Sequence, residues 1–228
     1  MRIVLVSDTH GLHDLIQIPE GDIFIHAGDF SSSGKVEEVA AAAKWLASLP
    51  HKHKIAIAGN HDLLFERSPS LAVGLLWNAG VTYLQDSGIS IEGLSIYGSP
   101  WQPKFMNWAF NVPRGSLARY WDQIPSGLDI LVTHGPPYGI LDQSIPPGKR
   151  RAAPWEDEEA FAGSGHVGCE ELLAAVERTR PRVHVFGHIH RGYGASRKEH
   201  TAFYNASLCN EAYEPINKPW VIDLAALK

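Results

Sequence analysis

The run V-F-G-H-I-H, residues 185–190, closes an apolar segment with two histidines one residue apart. Alternate residues of a strand share a face, so His188 and His190 look the same way. Protonated, the two imidazoles repel each other. Neutral, they can share one metal ion or bind two neighbouring ions. Four more apolar runs end on similar side chains. R-I-V-L-V-S runs into Asp8-Thr9-His10, D-I-F-I-H-A into Gly28-Asp29, K-I-A-I-A into Gly59-Asn60-His61-Asp62, and D-I-L-V-T into His134-Gly135-Pro136-Pro137. Carboxylate and imidazole donors suit Mn, Fe, Zn or Ni better than Mg or Cu(I). A carboxylate shared by two such ions holds them about 3.5–4 Å apart.

The apolar, β-branched runs predict strands at 2–7, 22–27, 54–58, 81–85, 94–97, 129–133, 182–186, 202–205 and 220–223. Apolar spacing of three and four predicts helices at 35–49 and 168–179, with a third at 69–78. Strands alternate with helices early and late but follow one another from 81 to 97. That mixture predicts mixed sheets with helices outside, an α/β (α+β mixed) class. Open α/β sheets bind ligands beyond the carboxyl ends of their strands, where the Asp, Asn and His residues fall. Glycines 28, 59, 135 and 187 let the backbone turn beside a crowded site. With no repeat and no linker, residues 1–228 are expected to form one domain. The stretch 138–167, with P-P-G-K-R-R and W-E-D-E-E, predicts a long surface loop.

Composition narrows the function. The chain has 228 residues, 44% hydrophobic and 20% charged, enough for a full core. A net charge of −5 argues against binding duplex nucleic acid. Twelve histidines against two cysteines favour nitrogen and oxygen ligands over sulfur. Cys169 and Cys209 fit no zinc spacing and are expected to be free and buried. No run reads as a signal peptide or a membrane span, so a cytoplasmic protein is expected.

D-x-H, G-D, G-N-H, T-H-G and G-H-x-H, in this order from Asp8 to His190, resemble the calcineurin-like metallophosphoesterase superfamily. G-D-I-F-I-H-A-G-D-F, K-I-A-I-A-G-N-H-D, I-Y-G-S-P-W, F-N-V-P-R-G, D-I-L-V-T-H-G-P-P and Y-N-A-S-L-C are similar to its brain-239-type branch, small phosphodiesterases acting on cyclic nucleotides and model diesters. The resemblance implies a four-layer αββα sandwich of two mixed sheets flanked by helices. It also implies two divalent transition metal ions, with Mn foremost and Fe, Zn or Ni as alternatives, bridged by Asp29. Asp8, His10 and His190 would complete one site, and Asn60, His134 and His188 the other. A metal-bridging hydroxide would attack phosphorus in line, and His61, not itself a ligand, would assist the leaving oxygen. Some animal members of the branch carry Gly where His188 stands, so the histidine implies a fully formed second site. The implied partner is a small phosphodiester or nucleotide.

The alternatives are a phosphomonoesterase or phosphoprotein phosphatase, a DNA nuclease, and a non-catalytic nucleotide-binding scaffold. The phosphoprotein branch reads G-D-x-V-D-R-G and G-N-H-E, whereas this chain reads G-D-F-S-S-S-G and G-N-H-D, without that arginine.

Other residues carry smaller expectations. His13 can reach a phosphate, and His166 can line the pocket. Trp101, Phe105 and Trp108 can form a wall for a base or pack a rim loop onto the core, the latter favoured. Asp62 is expected to orient His61 or to cap a following helix. His26 and His184 are expected in structural roles, one facing in and one out, while His51, His53 and His200 are expected in solvent. Lys149, Arg150 and Arg151 can steer an anion but read first as a solvated charge run.

Overall fold

A computed structural model of the chain describes residues 1–144 and 165–223. Its first half runs β1 (Arg2–Val6), β2 (Ile23–His26), α1 (Val36–Ser48), β3 (His53–Ala56), α2 (Leu64–Arg67), α3 (Pro69–Asn78), β4 (Thr82–Tyr83), β5 (Ser87–Ile91) and β6 (Leu94–Ser99). There follow β7 (Gln102–Pro103), β8 (Asn111–Val112), α4 (Ala118–Trp121), β9 (Ile130–Thr133), α5 (Glu170–Thr179), β10 (Val183–Phe186), β11 (Gly194–Lys198), β12 (Thr201–Asn205) and β13 (Trp220–Asp223).

Two mixed sheets result. One has the order β13-β1-β2-β3-β4, and the other β11-β12-β10-β9-β6-β5. In the first, β1 to β4 are parallel and β13 is antiparallel; in the second, β5 and β11 are antiparallel edges of a parallel middle. Ile3 and Leu5 of β1 and Ile23 and Ile25 of β2 pack against Ile96, Ile130, Val132, Val183 and Val185 between the sheets. Val4, Val6 and Phe24 point the other way, onto Val39, Ala42 and Leu46 of α1 and Leu76 of α3. Leu131 and Phe186 point outward from the second sheet onto Trp121, Leu172 and Val176 of α4 and α5. Strands covered on both faces are apolar at nearly every position, hence the long apolar runs, with His26 in β2 and His184 in β10 among the exceptions. Each such Ile, Leu or Phe contributes about 1.5–3 kcal/mol. The layering is helix, sheet, sheet, helix, as the resemblance implies.

Helix boundaries follow local chemistry. Glu38 begins α1 by accepting the Ser33 N–H and O–H at 2.8 and 2.9 Å. Pro69 opens α3. Arg180 ends α5 in the left-handed region at φ 51°, just before Pro181.

Several elements escape the sequence patterns. β5 and β11, S-G-I-S-I and G-A-S-R-K, lack apolar runs and are fixed by backbone pairing to β6 and β12. α2, α4, β7 and β8 have only two to four residues each, too short for a periodicity. His26 and His184 do not divide between faces. Both point toward the helices and are fully buried, among Phe24 and Phe30 and among Phe186 and Phe203. His51 is buried rather than solvated, with Nε2 on the Pro19 carbonyl and its ring against Phe24. His53 belongs to β3 and pairs with Glu92, while His200 is exposed. Cys169 and Cys209 are free and buried. Among the described residues no helix is long and apolar enough to cross a membrane.

Candidate metal centre

β1, β2 and β3 of the first sheet and β9 and β10 of the second end at one place. The Ser7 backbone pairs with Ala206 and Leu208, tying the first sheet to the segment after β12. On this seam lie Asp8, His10, Asp29, Asn60, His134, His188 and His190. His10 Nε2 is 3.2 Å from His190 Nε2 and 3.9 Å from carboxylate oxygens of Asp8 and Asp29. His190 Nε2 lies 3.4 Å from Asp8 Oδ1. On the far side His134 Nε2 is 2.9 Å from Asn60 Oδ1 and 3.3 Å from Asp29 Oδ2, and its ring is 5.0 Å from that of His188. Three sets, Asp8/His10/His190, His10/Asp29/His61 and Asp29/His134/His188, each hold their donor atoms within 4.8 Å of one another. Donors gathered this closely would need only small shifts to take up the roughly 2.0–2.2 Å bonds of a divalent ion.

The backbone at these strand ends is strained. Asp8, His10, Asp29 and His188 have φ of 54°, 44°, 57° and 66°. Residues with a Cβ rarely adopt such values, and each costs about 1–3 kcal/mol. A network of hydrogen bonds holds them there. The Asp8 carboxylate accepts the His188 N–H and the Ser207 O–H at 3.0 and 2.9 Å. The Asp29 N–H donates to Asp62, and the His61 N–H donates to Asp29 Oδ1, both at 2.8 Å. Gly59 and Gly187 are needed for space, because a Cβ would stand 2.2 Å from Asp29 Oδ1 or 2.0 Å from Asp8 Oδ2.

Backbone carbonyls fix the ring orientations. His134 Nδ1 bonds to the Ala27 carbonyl, His190 Nδ1 to Asn210 and His61 Nδ1 to Ser32, at 2.9, 2.8 and 2.7 Å. A carbonyl only accepts, so Nδ1 carries the proton and Nε2 is left for the site. Burial drives His188 down to about 3, and drives His10 down to about 4 against the charges of Asp29 and Asp8. These imidazoles therefore stand neutral, as metal donors must. His134 goes the other way: burial pulls it down, but Asp29, Asp8 and the Ala27 carbonyl together raise it to about 9. Burial pushes Asp29 up, but His134 pulls it down further, below the usual carboxylate range. Asp29 and His134 would hold a cation in place of that proton. Convergent, buried nitrogen and oxygen donors of this kind fit a dinuclear cation site.

Asp62 neither caps a helix nor orients the His61 ring. Its buried carboxylate accepts the N–H groups of Gly59, Asp29 and Ser31 and the Ser31 hydroxyl, locking two ligand loops together. Burial, then the charge of Asp29, raises it to about 7.

The aromatic segment does not form one wall. Trp101 stacks on Tyr120 and donates Nε1–H to Asp86, packing the rim. Trp108 stacks on His61 at 4.1 Å. Phe105 faces His188, with ring centres 6.2 Å apart. His13 lies buried against Trp45, away from the cavities. His166 bonds the buried Asp142 at 2.5 Å and does not line them either. Lys149, Arg150 and Arg151 lie outside the described residues. Two adjoining cavities open beside the seam. One of about 240 Å³ is walled by Asp29, Asn60, His61, His190 and Tyr213. One of about 320 Å³ lies beyond His188, between Phe105, Pro136, Ile189 and Arg114. Tyr213 and Asn210, in a polar stretch without periodicity, carry no signal in the sequence.

Residues 1–192 match the family model described as calcineurin-like phosphoesterase. The chain belongs to that family, whose members are metallophosphoesterases working through a dinuclear divalent centre. Over 98% of its length it is 46% identical to the human "Metallophosphoesterase domain-containing protein 1", covering 71% of that protein. Its fold is shared with a phosphopantetheinyl hydrolase of Mycobacterium tuberculosis (TM-score 0.58, 15% identity, 92% of this chain and 90% of that one). It is shared also with an archaeal phosphodiesterase (TM-score 0.52, 15% identity, 100% and 96%).

Proposed function

We propose that the chain is a metal-dependent phosphodiesterase acting on small phosphodiesters, cyclic nucleotides among them. The observation that carries this is the convergence of seven nitrogen and oxygen donors from two sheets beside an open cavity with apolar walls. Asp8, His10, Asp29 and His190 would hold one ion, and Asp29, Asn60, His134 and His188 the other, with Mn preferred and Fe, Zn or Ni tolerated. When bound, such a pair supplies Lewis-acid polarisation of the phosphoryl oxygens and acidifies water. Asp29 sets the spacing of the two halves. His61, stacked on Trp108 and tethered to Ser32, presents Nε2 beside them and in its imidazolium form passes a proton to the leaving oxygen.

The absence of the phosphoprotein-type phosphate clamp supports a diester. Ser33 stands where the phosphoprotein phosphatases carry their arginine, Arg114 is engaged by the Val167 and Gly168 carbonyls and Arg191 by Glu211, and Lys104 lines the larger cavity. Two free buried thiols fit a cytoplasmic setting. The test is a rate comparison on Mn-reconstituted protein, an aryl phosphodiester against its monoester. Faster diester cleavage is expected, and faster monoester cleavage overturns the proposal.

A further inference from the structure

Tyr213 is 49% exposed, yet it stands over the most charged part of the molecule. Its ring centre lies 4.8 Å from that of His10, 5.3 Å from His190 and 6.3 Å from His61, steeply inclined to each. Its backbone is held at φ 58°, a conformation that bulky side chains avoid. Asn210 does the holding. Its Oδ1 accepts the N–H groups of Ala212 and Glu214, and its Nδ2 donates to the Glu214 carboxylate. Its carbonyl accepts both the Tyr213 N–H and the His190 Nδ1–H. One residue thus aligns a ligand and fixes the tyrosine beside it. Hydrophobic burial does not explain the placement, since half the side chain faces solvent. The Tyr213 hydroxyl has no hydrogen-bond partner among the described residues.

We propose that Tyr213 contacts the substrate: its ring is the wall against which the leaving-group substituent packs. This rests on the proposal that His61 attends the leaving oxygen. His61 and Tyr213 flank the same His10 ring, at 4.7 and 4.8 Å. A group departing beside His61 therefore departs beside Tyr213. The other substituent points past His188 into the cleft walled by Phe105, Pro136 and Ile189. Arg191 on this side is paired with Glu211, so it adds no free cation for a second negative charge, and the Tyr213 ring offers its face to a planar group. The class assigned is an aryl leaving group.

The test compares two monoanionic ligands without a hydrolysable ester bond, dimethylphosphinate and benzyl(methyl)phosphinate, by calorimetry on Mn-loaded protein. The native chain is expected to prefer the benzyl ligand about tenfold. Tyr213→Ala brings that ratio near one, with metal content and dimethylphosphinate affinity unchanged within about twofold, and Tyr213→Phe keeps it. The proposal is overturned if the native chain shows no preference or Tyr213→Ala retains it. It is also overturned if Phe105→Ala alone removes the preference, or if Tyr213→Ala loses metal and both ligands together. A native chain that prefers the benzyl ligand yet cleaves monoesters faster keeps the role of Tyr213 and overturns only the phosphodiesterase proposal.

Discussion

In the proposed centre, Asp8, His10 and His190 would bring a carboxylate of their own to one half, whereas Asn60, His134 and His188 would bring none to the other. Asp29 stands between, near His10 on one side and His134 on the other, and would serve both. The first half is therefore the more negative, with Tyr213 at its rim. The second has no carboxylate of its own and depends on the shared Asp29 for its charge. A divalent ion is attracted more strongly by two carboxylates than by one, so the halves should fill and empty unequally. On this proposal, one fold sets two cation sites side by side and grades them by a single Asp-to-Asn difference.

The largest effect is expected where the contrast collapses. Asp29→Asn should lose both ions and cut turnover roughly 1,000-fold or more, read by metal analysis and steady-state rates. Two retained ions would show that Asp29 is not shared. His188→Ala should lose the second ion alone and cost about 100-fold in rate. Unchanged stoichiometry and rate would remove His188 from the centre.

A finer test lies behind the ligands. His184 Nε2 bonds Thr133 Oγ1 at 2.8 Å, beside His134, and His26 Nε2 bonds Thr9 Oγ1 at 3.1 Å, between Asp8 and His10. Burial drives both imidazoles down to about 3, so they stand neutral. His184→Leu should weaken the second site about tenfold and spare the first, and His26→Leu the reverse. Titration of each variant with Mn²⁺ separates the two, and equal losses at both sites would break the division. The smallest effect is expected far from the seam. Asp129→Asn removes partners of Arg182 and Ser95 and should cost about 1 kcal/mol of stability with metal content unchanged. Burial opposes ionisation of Asp129, but its hydrogen bonds to Ser95 and Arg182 win and lower its pKa. Its contribution is present above the unfolded carboxylate pKa and fades as pH falls through the folded one, which acid melting curves can show.

Much of this was legible because parallel strands buried on both faces leave long apolar runs, and polar residues at their ends then stand out. Asp8, Asp29, Asn60, His134 and His188 are visible for that reason. Pairing of Asn60 with His134, 74 positions on, is a tertiary fact, which the resemblance suggests and geometry displays. His51 looked like a surface residue because its neighbours are polar, yet Phe24 and the Pro19 carbonyl enclose it. Asp62 had an ordinary helix-start context, and its four donors come from a loop some 30 residues earlier as well as from its own. Tyr213 gave no signal because its partners, His10 and His61, are distant in sequence and its own stretch has no period.

The decisive measurement is calorimetric titration of metal-free protein with Mn²⁺, with the stoichiometry confirmed by elemental analysis. Two ions per chain, bound in a tighter and a weaker step with the weaker one abolished by His188→Ala, is the predicted result. A single ion per chain, or two equal steps untouched by His188→Ala, would contradict a centre shared unequally between the two sheets.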